Sequence, residues 1–223
     1  MESKTPPLTL DSNRIFEIIK KEKTLAASYK VIVNESFVGE VCFNEEQKTA
    51  LSKCLSNLSN SLQEKDIKFW IDWGSFLGGY RDKSIIPWDK DFDIAILSKD
   101  KFKLANIITE SPDLSIAVNK DHYMSILIKG FDEPCLDINI WDKVEKSTGT
   151  FITDYHNHDR DYCFFKDLDS IYFEDLQLSM PCPNLSKADE LLSGMYGENF
   201  MLPPGNPLMD SKGKLWIENR GGR

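Results

Sequence analysis

Leu51, Leu55, Leu58 and Leu62 fall at spacings of three and four residues, the period of a helix with one apolar face. Asn44-Glu-Glu-Gln precedes them and supplies a capping side chain and first-turn charge. The spacing predicts an amphipathic helix whose leucine stripe lies against a central sheet. A shorter helical pattern runs through Ile15, Ile18 and Ile19 into a lysine-rich end, with Asp11 or Ser12 as its cap. Residues 100–108 read as another helix. Leu191, Leu192 and Met195 mark the buried side of a last helix, opened by Ser186 and ended at Gly197.

Elsewhere the period drops to two. Residues 29–33 and 37–43 read as a hairpin, and residues 68–73, 91–97, 115–118, 123–129 and 135–141 as strands. Residues two apart on a strand share a face. Asp91 and Asp93 therefore project together, opposite Phe92 and Ile94. Likewise Leu136, Ile138 and Ile140 share one face, and Asp137, Asn139 and Trp141 the other. With no linker dividing two cores, 223 residues of this pattern predict one α/β domain, a mixed β-sheet flanked by helices. It is expected over residues 11–204, with residues 1–10 a flexible arm and 205–223 a tail.

One stretch, residues 71–97, carries candidate chemistry. Gly74-Ser75 ends a strand, and Ser75 is a suitable cap for a helix through Phe76, Leu77 and Tyr80. Such a helix start aims free backbone N–H groups at whatever lies above Gly74. Pro87 stops any continuation. Asp91 and Asp93 repel each other unless a cation lies between them. Mg²⁺ is commonly held by one or two carboxylates plus substrate phosphates. A phosphate-cradling turn followed by paired aspartates on a strand predicts metal-assisted attack at phosphorus. Asp137 is an isolated carboxylate in an apolar strand, costly unless it meets a metal or a basic partner at the sheet rim.

Composition narrows the ligands. A net charge of −9 leaves no broad basic surface for nucleic acid or anionic membrane, so a phosphate must be held locally and by a metal. Five cysteines without a Cys-x-x-Cys pair read as reduced thiols. No run is long enough to span a bilayer, and the first residues lack signal-peptide order, so a cytoplasmic location is expected. His156, His158 and Cys163 are types that ligate zinc, although a substrate-binding loop or hydrogen-bonded turn fits the same segment.

The pattern Gly74-Ser75, Gly78 to Arg81, and Ile86-Pro-Trp-Asp-Lys-Asp-Phe-Asp93 resembles the LicD/fukutin family of the nucleotidyltransferase fold. Two later segments add to it: the strand pair around residues 171–181, and Met195-Tyr-Gly-Glu-Asn-Phe-Met-Leu-Pro-Pro204. The resemblance covers roughly residues 65–204. It departs at Lys90, where the family often has aspartate, and strand alternation turns that lysine away. The family implies a CDP-activated donor, such as CDP-choline or CDP-ribitol, and a glycan or glycolipid hydroxyl as acceptor. In that reading Asp91 and Asp93 hold Mg²⁺ or Mn²⁺, with Asp137 as a third carboxylate from a neighbouring strand. Gly74 and Ser75 approach the phosphate and Arg81 clamps it. Asp89 or Asp137 takes the acceptor proton. The alternatives are transfer of a nucleoside monophosphate from an NTP, and a non-catalytic domain that binds nucleotide or glycan.

Overall fold

The computed structural model describes residues 42–86, 89–154, 158–198 and 200–201. The expected arm, the helix and hairpin before residue 42, the tail, Pro87 and His156 lie outside the described residues.

Helix α1 (Glu45–Glu64) bears out the leucine stripe. Asn44 caps it: its side chain accepts from the Gln47 N–H, and the Gln47 side chain accepts in return from the Asn44 N–H. Such a cap contributes about 1 kcal/mol. Leu51, Leu55, Leu58 and Leu62 are buried, each worth roughly 1.5–3 kcal/mol.

The chain then forms β1 (Phe69–Ile71), α2 (Trp73–Arg81), β2 (Phe92–Leu97), α3 (Lys101–Glu110), β3 (Leu114–Lys120), β4 (Tyr123–Ile128) and β5 (Leu136–Lys146). β6 (Gly149–Thr153), β7 (Asp159–Asp161), β8 (Asp169–Phe173), β9 (Leu178–Cys182) and α4 (Ala188–Tyr196) follow. The main sheet runs β1-β2-β5-β4-β3, and β6 and β7 continue from the far half of β5. Only β2 and β5 pair in parallel; the other ladders are antiparallel. β8 and β9 make a separate hairpin. This is the mixed α/β architecture expected.

The topology serves one place. The parallel register sets Asp93 beside Asp137, while Phe92, Ile94, Leu136 and Ile138 fill the opposite, buried face. α1 packs on β9 and α3, and Ser52 Oγ donates to the Leu176 carbonyl in the turn of the β8–β9 hairpin. α2 lies close against β8: a Cβ on Gly79 would stand 2.8 Å from Phe173. The carboxyl end of β1 and the start of β2 are thus held together beneath α2, and the Asp72 N–H donates to the Asp93 carbonyl.

Candidate active site

α2 begins one turn earlier than the sequence suggests. Asp72, not Ser75, is its cap, and the Asp72 carboxylate accepts the Trp73 N–H at 3.0 Å. Ser75 sits inside the first turn, 4% exposed, and its hydroxyl accepts the Asp93 N–H at 2.7 Å. That bond ties the helix to the strand bearing Asp93 and leaves the hydroxyl hydrogen free to donate.

A Cβ on Gly74 would lie 2.3 Å from Asp89 Oδ2 and 3.8 Å from Asp93 Oδ2. The glycine makes room for the Asp89 and Asp93 carboxylates. Gly74→Ala should displace Asp89. Misplacement by about 1 Å can cost on the order of 100-fold in rate, whereas alanine is the better helix residue, so melting should hold or rise. Parallel rate and melting measurements check this; undiminished turnover would mean that Asp89 has no fixed role.

Four aspartates gather here. The Asp89 and Asp91 side chains are hydrogen-bond neighbours. Burial and then the Asp91 charge push Asp89 up to about 7. Burial first and Asp137 second raise Asp91. Asp93 is raised well above the usual range by burial, then by Asp91 and Asp72, against one favourable bond from Asn139 Nδ2 at 3.1 Å. Asp137 accepts from Tyr123 Oη at 2.7 Å and from Ser125 Oγ at 2.8 Å. Lys90 is exposed, as alternation implied.

A carboxyl raised on folding stabilises the fold while protonated. Its contribution is complete below the unfolded value of 3.8 and is lost as pH rises through about 7. The metal-free chain should lose melting temperature across that window, and Asp89→Asn should flatten the fall. Melts of both proteins over the range decide it; parallel curves would show that Asp89 is not raised by folding.

Arg81 is not in this cluster. It is fully buried, and its guanidinium grips the neighbouring Asp82 through Nε at 3.0 Å and Nη2 at 2.7 Å. The clamp expected of it is corrected: it neutralises a buried carboxylate. The basic group beside the cluster is Arg160, which sequence reading passed over. Its Nη1 donates to Asp72 Oδ1 at 2.6 Å, while Trp141 Nε1 donates to Asp72 Oδ2 at 2.9 Å. The guanidinium carbon lies 4.3 Å from the ring centres of both Trp73 and Trp141. Tyr196, at the end of α4, is 40% exposed and lies near enough to feel these charges. Burial raises that phenol, Asp72 and Asp93 add to the rise, and Arg160 opposes it.

The zinc reading gains nothing from the described residues. His158 Nδ1 lies 3.0 Å from Asp154 Oδ2, and Lys187 Nζ lies 3.0 Å from Cys163 Sγ. All five cysteines are free thiols. Among the described residues, no three His, Cys, Asp or Glu side chains converge closely enough to hold an ion as they stand. The donor chemistry nonetheless suits a hard divalent cation: all-oxygen, half-buried, and raised in pKa chiefly by desolvation and by other carboxylates. None of the described helices is long and apolar enough to cross a membrane.

Residues 66–183, just over half of the chain, match the family described as LicD/FKTN/FKRP, nucleotidyltransferase domain. The chain belongs to this family. The LicD match contains the Asp72 cap, all four clustered aspartates and Arg160; Tyr196 lies beyond it. Membership makes it a transferase-type domain, as the sequence motifs implied. A ribitol-5-phosphate transferase of Homo sapiens is 24% identical over 196 residues, covering 81% of this chain and 39% of that protein. An uncharacterized protein of Rickettsia prowazekii is 30% identical over 122 residues, covering 55% of this chain and 43% of that one. The chain spans about two fifths of the length of these curated relatives. A crystal structure of a lincosamide antibiotic adenylyltransferase aligns at 16% identity and a TM-score of 0.41, covering 67% of this chain and 94% of that one.

Proposed function

We propose that this LicD-family domain transfers a substituted phosphate, such as phosphoribitol or phosphocholine, from a CDP-activated donor to a hydroxyl of a glycan or glycolipid. The observation that carries the reading is the half-buried cluster of Asp89, Asp91 and Asp93 beside Gly74, with Asp137 in register beside Asp93. The human relative's ribitol-5-phosphate transferase activity supports the ribitol member of the class.

Asp91 and Asp93 are the residues that would hold Mg²⁺ or Mn²⁺, leaving the other coordination positions to water and phosphate oxygens. When bound, the ion neutralises charge on the leaving phosphate. The chain's own groups supply the rest. Ser75 and Asn139 fix Asp93 through its N–H and its Oδ1. Tyr123 and Ser125 both donate to Asp137 and fix the orientation of its carboxylate. Asp89 is raised toward neutrality, where a general base works best, and is our choice to receive the acceptor proton. The acceptor oxygen bonds to the phosphorus bearing the alcohol, the bond to the CMP oxygen breaks, and CMP leaves with that electron pair.

A CDP-alcohol labelled separately in its cytidine and its alcohol tests the reading. The alcohol label should move to the glycan while labelled CMP is released. Cytidine label on the acceptor would replace this reading with nucleotidyl transfer. No Mg²⁺-dependent consumption across a panel of CDP-alcohols would leave a binding domain.

A further inference from the structure

The phosphate clamp sought at Arg81 is absent there, because that guanidinium is committed to Asp82. Arg160 is linked to the acidic cluster through Asp72. Arg160 is 8% exposed, and its Nη2 is buried without a hydrogen-bond partner among the described residues. A buried, charged donor left unpaired is costly, and an incoming acceptor relieves that cost.

The group is held as a preformed donor. Asp72 fixes Nη1, and the guanidinium carbon packs 4.3 Å from the ring centres of both indoles, whose planes lie 26° apart. Asp72 is itself occupied three times, by the Trp73 N–H, Trp141 Nε1 and Arg160. Trp73 takes a φ of 40°, a left-handed conformation that costs a bulky residue roughly 1–2 kcal/mol. Strain of that kind persists where surrounding contacts over-determine it, as they do here, and it clusters at ligand sites.

Arg160 and Trp73 also line a cavity of 680 Å³ with His158, Asp161 and Glu190. Two acids of that cavity face lysines: Asp159 pairs with Lys146, and Lys187 acts on Asp161. Lys187 acts on Glu190 as well. Asp72 joins the arginine to the cluster, since it binds Arg160 and also repels the charge on Asp93.

We propose that Arg160 is the phosphate-binding arginine of the site, offering Nη2 to a diphosphate oxygen while Trp73 and Trp141 fix its plane. The assignment rests on the phosphotransfer reading above. The ligand chemistry it names is a diphosphate, whether free or within a nucleotide.

The test is a calorimetric titration of the full chain with magnesium pyrophosphate, for wild type and Arg160→Lys, with tryptophan emission followed in parallel. Lysine keeps the charge beside Asp72 and loses the planar fork, so affinity should fall about tenfold or more while the variant still melts cooperatively. Wild-type emission should change on saturation, because two indoles touch the guanidinium; this readout stands if the variant does not fold. Equal affinity in the two proteins, no pyrophosphate binding by wild type, or binding without an emission change overturns the proposal. A CDP arm separates the two ideas. Arg160-dependent pyrophosphate binding with CDP no tighter keeps the arginine and removes the cytidine-activated donor. CDP bound equally by both proteins keeps that donor and removes the arginine.

Discussion

Asp91→Asn and Asp93→Asn should each lower transfer by several orders of magnitude while leaving the metal-free chain as stable as wild type or more so. Both substitutions keep side-chain volume and remove a negative charge. In the folded chain those charges are unwelcome: burial raises both groups, and Asp137 and Asp91 respectively add repulsion. Removing one charge relieves that repulsion. Catalysis loses a metal ligand instead, and metal stabilisation of transition-state charge is worth several kcal/mol. Thermal melts with and without excess Mg²⁺ complete the comparison. Wild type should gain stability from Mg²⁺ by mass action and the variants should not. A variant that melts lower without metal, yet responds to Mg²⁺ as wild type does, would show that these aspartates serve the fold.

The second large effect is on stability. Asp72→Ala should cost about 3–5 kcal/mol, since it strands a buried arginine between two indoles and removes the cap of α2. Arg160→Met should cost a similar amount by stranding Asp72. The double variant should cost clearly less than the two together, because neither charge is then left alone. Denaturant unfolding of the three proteins measures this. Losses near or below about 1 kcal/mol, adding simply, would class the pair with ordinary surface ion pairs.

What the sequence made legible was local and periodic. The leucine stripe of α1 and its Asn44 cap need only one segment to be recognised, and both are present. The alternations around Asp93 and Asp137 gave the right faces, and the parallel β2–β5 ladder made those faces one surface. The cap of α2 was misplaced because Asp72 and Ser75 are both good capping residues. The choice rests on Trp141 and Arg160, whose donors reach Asp72 from 69 and 88 residues away. Arg81 misled for a related reason, although the adjacent Asp82 was a visible sign of local pairing. Arg160 also left a sign. In Asp159-Arg160-Asp161 the alternation puts both acids outward and the arginine inward, but three residues were too few to be read as a strand. Tyr196 belonged to a quoted motif, yet its place near the cluster depends on how α4 returns to the sheet.

Diffraction from crystals grown with Mn²⁺ and CDP tests the central claim most directly. The account predicts an anomalous peak within about 2.5 Å of carboxylate oxygens from both Asp91 and Asp93, with a phosphate oxygen of the nucleotide completing the shell. Nucleotide bound with no metal at these two side chains, or Mn²⁺ bound only elsewhere, would contradict it.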